Sequence, residues 1–349
     1  MATNIPSVHE TYAYEAQKRL RTDGLLQFQD VQQSASARIR HLAHDAWADE
    51  ECLSATEPAS TCAKRTKFLI MGARVGGIVS AVRLILARFS TDQIRLGEAA
   101  GGAGGTWYWN RFPGLHCDVE SYVYMPLLEE MDYMPSQKYA SGVEIRHYLQ
   151  KVVEKYQLHH RIILGTKVDS LRWEEQDCVW KAELSSSHDP VLTRYEPPVN
   201  AWAAEAEFVI LTAGYLARPQ VPTLDGAGVD SFQGDMFHTA RWDYGVTGGS
   251  SEDVFPQLEK LRDKKVGIIG TGATAIQVIR CLAKHAKEVS VFQRTPSAVY
   301  SRGQQGTDTK EWRDKIASAE GWHRDRMENM TARMSRSASS GLADLVNDE

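Results

Sequence analysis

The sequence has 349 residues, of which 42% are hydrophobic and 24% charged, and its formal net charge at pH 7 is −5. This composition is typical of a globular protein of about two domains, and the acidic balance argues against general binding of nucleic acid. No apolar run approaches the roughly 18 residues of a membrane span, and the N-terminus lacks a secretory signal pattern. Five cysteines show no C-x-x-C pair and no metal-ligand spacing. We therefore expect a cytoplasmic protein with reduced thiols, no metal site and no membrane span.

Residues 1–62 are predicted to form an N-terminal extension and linker. Apolar groups recur with helical spacing between His9 and Leu26, and Gly24 is expected to end that helix. The polar stretch Ser54–Thr61 is interpreted as the linker.

A βαβ unit is predicted next. Its strands are Lys67–Met71 and Ile94–Leu96, and its helix is Ile78–Phe89. Glu98 follows the second strand, where a carboxylate can bind ribose hydroxyls and disfavours a 2′-phosphate. This βαβ unit therefore favours FAD.

The turn after the first of these strands reads Gly72-Ala-Arg-Val-Gly-Gly77. Gly72 and Gly77 occupy the first and third positions of the dinucleotide fingerprint. Arg74 replaces the middle glycine, which normally lets the backbone approach a pyrophosphate. Two alternatives stay open from the sequence: Arg74 offers charge to the phosphate, or it weakens nucleotide binding.

The middle of the chain is predicted to alternate between a ligand-packing loop, a helix and strands. The loop is Gly101–Pro126, the helix is Val143–Tyr156, the strands lie at Arg161–Leu164, Val168–Trp173, Val179–Leu184 and Phe208–Thr212, and a polar stretch runs from Ser185 to Asn200. The adjacent His159 and His160 are expected to be exposed and without function.

A second βαβ unit is predicted from strand Lys265–Ile269, helix Ala273–Ala286 and strand Val289–Gln293. Its turn, Gly270-Thr-Gly-Ala-Thr-Ala275, has small residues at all three fingerprint positions. Arg294 follows the second strand, and a guanidinium matches a phosphate, so NADP is favoured over NAD. From residue 301 onward the chain is polar with helical tendency.

These patterns predict an α/β fold with two Rossmann-like dinucleotide-binding domains, for FAD and NADPH. The predicted domains are an extension and linker at 1–62, an FAD domain at 63–225, an inter-domain segment at 226–262 and an NADPH domain at 263–349.

Between the two turns, residues 232–242 read Phe-Gln-Gly-Asp-Met-Phe-His-Thr-Ala-Arg-Trp. Phe232, Gly234, His238 and Trp242 have the F-x-G-x-x-x-H-x-x-x-W spacing of the Baeyer–Villiger monooxygenase fingerprint. The sequence resembles that family along essentially its whole length, and fungal members acting on meroterpenoids in particular. The resemblance also rests on the segments Lys18–Gly24, Gly104–Gly114, Cys117–Ser121, Ser121–Leu128, His238–Gly249 and Gly270–Pro296.

The resemblance implies oxygen insertion from O₂ beside a ketone, giving an ester or lactone, with FAD and NADPH as cofactors. In addition to Gly72, Gly77 and Glu98, the FAD contacts that it implies are Gly105, Thr106, Trp107, Trp109, Asp118 and Tyr124. It implies NADPH contacts at His116, Cys117, Asp118, Gly270, Thr271, Gly272, Ala273, Thr274, Ala275, Ile276, Gln277, Arg294 and Thr295. His238 is interpreted as a hinge or orienting group rather than a base.

The resemblance places the family's catalytic arginine beyond residue 349. It therefore implies that both dinucleotide-binding domains are incomplete at the C-terminus, with 63–225 the first part of the FAD domain and the NADPH domain 263–349 truncated. The expected enzyme is of doubtful activity, and no catalytic residue is named. Two alternatives stay open. One is a flavin N- or S-monooxygenase, against which the fingerprint argues. The other is a non-catalytic binding or partner protein, favoured by Arg74. The ketone and the oligomeric state are left undetermined.

Overall fold

The computed structural model describes residues 7–20, 22, 24–49, 53, 65–186, 201–214, 219–223, 228–294, 296 and 299–334. The chain packs into two compact units, each built from two stretches of sequence. The sheet unit comprises Asp45–Ala217 and Arg302–Glu349, and the fingerprint unit comprises Met1–His44 and Arg218–Ser301. These two units are defined by how the chain packs. The domain boundaries predicted from the sequence are defined instead by the cofactor that each domain is expected to bind, so they stay a prediction.

The sheet unit is built on a mixed sheet with six strands among the described residues. The strands are β2 (Arg65–Met71), β3 (Ile94–Gly97), β4 (Ile162–Ile163), β5 (Thr166–Glu174), β6 (Val179–Ser186) and β7 (Ala201–Leu211). The order across the sheet is β4-β3-β2-β7-β6-β5, with parallel pairing from β4 to β7 and antiparallel pairing from β7 to β5.

The helices of this unit are α3 (Val75–Leu86), α4 (Thr106–Trp109), α5 (Ser121–Tyr124), α6 (Leu128–Met131), α7 (Gly142–Lys155), α10 (Thr309–Glu311) and α11 (Trp322–Met334). A π-helical turn, Trp312–Ile316, follows α10. Buried side chains of β2, α3, β3 and α7 form one core, and Trp312 and Trp322 pack into it. The segment after residue 301 is therefore an integral part of the sheet unit.

The fingerprint unit holds the second βαβ element. Its elements are α1 (Val8–Arg19), β1 (Phe28–Gln29), α2 (Ala37–His41), β8 (Val221–Pro222), α8 (Tyr244–Thr247), β9 (Lys265–Ile269), α9 (Ala273–His285) and β10 (Glu288–Phe292). β9 and β10 are parallel, and β1 pairs antiparallel with β8. This last pair joins the N-terminal extension to residues near 221.

Most predicted elements are confirmed, and three differ. The predicted loop Gly101–Pro126 contains two short helices, α4 and α5. The predicted linker Ser54–Thr61 lies outside the described residues. The first helix ends at Arg19 with Leu20 as its C-cap. Gly24, at φ +51°, instead begins the 3-10 turn Gly24–Gln27, so its predicted role as the end of that helix was wrong. β7 begins at Ala201 rather than Phe208 because its first half pairs with β6. None of the described helices has the length and apolarity to cross a membrane.

Candidate functional site

The first nucleotide turn requires glycine at both predicted positions. Gly72 has φ +108°, and a Cβ there would lie 3.0 Å from the Thr212 carbonyl oxygen. A Cβ on Gly77 would lie 1.9 Å from the Gly72 carbonyl oxygen, which no side chain can tolerate. The turn is thus held close to β7 and to its own helix, as a dinucleotide turn requires.

The helices that follow the two turns begin without side-chain caps. The N-cap residues are Arg74 for α3 and Gly272 for α9, and neither helix has a capping side-chain hydrogen bond or an acidic residue in its first turn. Two other long helices, α1 and α7, are capped by serine side chains, as is the short α2. Uncapped N-terminal N–H groups with the positive end of the helix dipole form a suitable site for a phosphate.

Glu98 lies where the sequence places it, at the end of β3, and is 2% exposed. Its carboxylate accepts hydrogen bonds from the backbone N–H of Ala73 at 2.8 Å and of Ala100 at 3.0 Å. Burial raises the pKa of Glu98, while these N–H groups and the charge of Arg74 oppose that rise. The carboxylate therefore braces the turn, and each oxygen retains a further lone pair for a ribose hydroxyl.

The aromatic loop packs as an ordered wall beside this turn. Gly105, at φ +59°, precedes α4, which carries half-buried Thr106 and buried Trp107 and Trp109. The Trp107 indole N–H donates to the Tyr124 hydroxyl at 3.1 Å, and the two rings meet edge to face at 5.6 Å. The structure thus brings two of the predicted flavin contacts, Trp107 and Tyr124, together, whereas Trp109 packs against Tyr108 in a separate cluster.

Two residues that support the loop were missed from the sequence. Asp45 is 5% exposed and accepts from the Tyr108 hydroxyl at 3.0 Å and the Gly101 N–H at 2.8 Å. The Trp47 indole N–H donates to the Trp109 carbonyl at 3.2 Å. Both lie in a segment that was interpreted as extension, and no motif marks them.

His116, Cys117 and Asp118 follow the aromatic loop in the sheet unit. The His116 Nδ1 lies 2.9 Å from the Gly114 carbonyl, and the Cys117 thiol donates to the Val119 carbonyl. Burial raises the pKa of Cys117 to about 11, so the thiol is neutral near pH 7. Asp118 is exposed. The three residues predicted to bind NADPH here therefore share a unit with the predicted FAD contacts.

The second turn, in the fingerprint unit, is open. Gly270 has φ +101° and donates its N–H to the Phe292 carbonyl at 2.9 Å. Apart from the adjacent residues, no atom of the described part of the chain lies within 4 Å of where a Cβ on Gly270 or Gly272 would stand. Ala275 is 6% exposed, in agreement with a third fingerprint position that packs against the strand. Gln293 at the end of β10 donates to the Thr271 hydroxyl at 3.0 Å.

The remaining predicted NADPH residues lie on the first turns of α9 and after β10. Ala273 and Ile276 are exposed, Thr274 is half-buried, and Gln277 donates to the Ala273 carbonyl at 3.1 Å. Arg294 is exposed and donates to the Gln27 side chain at 2.9 Å, so the extension reaches the strand end. Thr295 lies outside the described residues.

The fingerprint segment, residues 232–242, has an exposed start and a buried end. Phe232 is 56% exposed, whereas Trp242 is 4% exposed and donates its indole N–H to the Thr247 hydroxyl at 3.1 Å. The His238 Nδ1 accepts the Ala240 N–H at 3.1 Å, and burial, helped by the charge of Arg241, lowers the pKa of His238 to about 4. A neutral imidazole that caps a turn is consistent with the interpretation of His238 as an orienting group rather than a base.

The N-terminal extension holds the start of this segment. The Arg38 guanidinium donates to the backbone carbonyls of Val229, Phe232 and Gly234. The Ser36 hydroxyl donates to the Asp230 carboxylate at 2.6 Å. These contacts join residues more than 190 positions apart, and no sequence pattern indicates them.

The model of the flavin-binding monooxygenase-like family matches residues 118–310, more than half of the 349. The chain belongs to this family. The polycyclic ketone monooxygenase of Thermothelomyces thermophilus is 46% identical over 341 residues, covering 97% of this chain and 50% of that protein.

Two solved structures of flavin-binding monooxygenases extend the comparison. The polycyclic ketone monooxygenase from Thermothelomyces thermophila superposes with a TM-score of 0.87 at 45% identity, over 97% of this chain and 52% of that one. The OTEMO complex with FAD and NADP superposes with a TM-score of 0.60 at 28% identity, over 79% of this chain and 46% of that one. The predicted fold class and family are confirmed, and the chain spans about half the length of these relatives.

Proposed function

We propose that this chain carries the FAD and NADPH sites of a Baeyer–Villiger monooxygenase. Its reaction inserts one oxygen atom of O₂ beside a ketone to give an ester or lactone, in fungal meroterpenoid or polyketide metabolism. One observation carries the proposal. The helices that follow the two nucleotide turns both begin without a side-chain cap, and the strands that follow these helices end in residues of opposite charge. Glu98 suits a ribose diol, and Arg294 suits a 2′-phosphate.

The first turn and the aromatic loop fit FAD. The buried donor Nε of Arg74 has no hydrogen-bond partner among the described residues, and the turn is tight because a Cβ at Gly72 or Gly77 would press on the backbone of Thr212 or of Gly72. We assign FAD contacts to Gly72, Gly77, Glu98, Gly105, Thr106, Trp107, Trp109, Asp118 and Tyr124. When bound, the flavin supplies the redox and oxygen chemistry. The wall formed by Trp107 and Tyr124 excludes water from one side of its site.

The second turn fits NADPH. We assign its contacts to Gly270, Thr271, Gly272, Ala273, Thr274, Ala275, Ile276, Gln277, Arg294 and Thr295, with His116, Cys117 and Asp118 near the nicotinamide. The fingerprint residues Phe232, Gly234, His238 and Trp242 orient rather than react, because His238 is neutral near pH 7 and already accepts a backbone N–H. The domains at 1–62, 63–225, 226–262 and 263–349 belong to the same proposal.

A cytoplasmic location is part of the proposal. Cys117, Cys178 and Cys281 are free among the described residues, which suits a reducing compartment. The substrates are a small-molecule ketone and O₂.

The test is to purify the 349-residue chain and to record its visible spectrum, its affinity for NADPH against NADH, and ketone-dependent ester formation. Bound flavin at about one per chain with tighter binding of NADPH supports the two assigned sites. Replacing Arg294 by Gln should weaken NADPH binding about tenfold, as loss of one charge-assisted contact does, and leave NADH unchanged. A chain that binds neither flavin nor NADPH refutes the proposal.

A second candidate function, a non-catalytic binding protein, is favoured by one observation. Arg74 stands where a dinucleotide turn ordinarily has glycine, and its side chain lies on Gly105. The same spectrum separates the two candidates, since a flavin band at normal stoichiometry rules out a protein that has lost the flavin site.

A further inference from the structure

The geometry points to Arg74 as the anion-binding residue of the first nucleotide turn, with its guanidinium taking the diphosphate that backbone N–H groups alone take in turns with a middle glycine. This inference rests on the proposed FAD site. It assigns a binding role to the one residue of the turn that departs from the fingerprint, and it decides between the two alternatives that the sequence leaves open.

The path of the side chain supports this assignment. A Cβ on Gly105 would lie 2.6 Å from the Arg74 Cγ, and a Cβ on Gly214 would lie 2.9 Å from Nη1. The stem therefore lies flat on Gly105, and one end of the guanidinium lies at Gly214. Both glycines have positive φ, +59° and +64°, so both positions favour glycine.

The location is the one where an open parallel sheet binds ligands. Arg74 follows β2, Gly214 follows β7, and these two strands are parallel neighbours. Their carboxyl ends therefore meet at one edge, with Gly105 of the aromatic loop across from them. Nucleotides bind in the crevice at such an edge.

The electrostatics of the turn leave a positive site to be satisfied. The Arg74 Nε is buried and has no hydrogen-bond partner among the described residues. Arg74 is also the N-cap residue of α3, whose dipole presents positive charge to the same space. The nearby carboxylate of Glu98 offsets part of this positive charge, and it also accepts the N–H groups of Ala73 and Ala100. A diphosphate would pair with the guanidinium and the helix end together.

The opposing explanation is that the stem occupies the place of the diphosphate and blocks it. The two explanations predict opposite results for Arg74→Gly, which restores a glycine at the middle position. If Arg74 binds the anion, the substitution weakens FAD binding. If Arg74 blocks the site, the substitution strengthens FAD binding.

The experiment is a fluorescence titration of the 349-residue chain with FAD at two ionic strengths. We expect the Kd to rise about tenfold, which is about 1.4 kcal/mol, in Arg74→Gly, and to rise less in Arg74→Lys. Added salt should weaken binding to the parent chain more than to Arg74→Gly, because a charge contact is screened. Arg83→Gln, on the same helix and half exposed at its side chain, is the matched control and should change neither value.

A calorimetric titration with ADP, which has the diphosphate without the flavin, separates this inference from the proposed function. ADP binding that depends on Arg74, in a chain that does not bind FAD, supports the inference and refutes the flavin site. Equal or tighter FAD binding by Arg74→Gly overturns the inference and leaves the flavin site standing. Binding of neither ligand by the parent chain overturns both. Circular dichroism checks that each variant folds, and Arg74→Gln replaces the glycine variant if that one does not.

Discussion

Replacing Arg326 by Met should destabilise the sheet unit severely, because Arg326 and Glu120 form a buried ion pair. Arg326 Nη2 lies 2.7 Å from Glu120 Oε1, and the two side chains are only 11% and 4% exposed. Glu120 precedes α5 and Arg326 lies on α11, so the pair joins the segment after residue 301 to the rest of the unit.

The expected loss is about 3–5 kcal/mol, the usual cost of breaking a buried ion pair by removing one of its partners. Arg326 Nε is itself buried without a partner in the described part of the chain, so the pair is not fully satisfied. For that reason the double substitution Glu120→Leu with Arg326→Met should recover most of the loss, since a well-packed apolar pair often equals a buried ion pair.

Urea denaturation measures these differences. The indole rings of Trp312 and Trp322, 5.1 Å apart in the same core, make tryptophan fluorescence a reporter for this unit. The matched control is Arg324→Met, whose partners Asp325 and Glu328 lie 3.7 and 3.9 Å away and whose own side chain is 74% exposed, and it should cost at most about 1 kcal/mol. The reasoning fails if Arg326→Met costs no more than this control, or if the double variant is as unstable as the single ones.

Folding lowers the pKa of His238 from 6.5 to about 4. As the pH drops from about 6.5 towards 4, the imidazole therefore binds a proton in the unfolded chain before it does so in the folded one, and the free energy of unfolding should fall. His238→Asn keeps an acceptor for the turn and should flatten that slope in denaturation curves measured from pH 7 to 5; an unchanged slope contradicts the assignment. Cys117, buried and with its pKa raised to about 11, should react with a thiol reagent at pH 8 far more slowly than exposed Cys178 when labelling is followed by peptide mass spectrometry. Equal labelling of the two would show that the loop opens readily. Arg38→Met should increase hydrogen exchange and proteolysis within the fingerprint segment, because three carbonyl contacts are lost, whereas Arg40→Met, whose contacts are to Ser34 and Ala35, should not.

The two βαβ units were predictable from the sequence because their determinants are local. Short apolar runs mark the strands, and the turns need small residues at fixed spacing. The ends of the elements were less accurate: β7 gains its first half from pairing with β6, which only the fold reveals.

The supports of the candidate site were not predictable, since each joins distant parts of the chain. Asp45 accepts from Tyr108, and Arg38 reaches the fingerprint carbonyls, through contacts that depend on tertiary packing. A lone Asp or Arg in a polar extension has the same local pattern whether it is solvated or buried. Arg74 is the opposite case: the sequence marks it as unusual, and only the position of its side chain over Gly105 indicates a role.

The hydrogen bond between Ser36 and Asp230 has a consequence for folding during synthesis on the ribosome. The two residues are 194 positions apart, so at roughly 5–20 residues per second the extension waits roughly 10–40 s for its partner to be synthesised. Throughout that interval Val31, Ile39 and Leu42, which are buried in the finished protein, lack Val221 and Val229 to pack against. A chaperone that holds nascent chains should therefore engage the first 44 residues until the chain has passed residue 234.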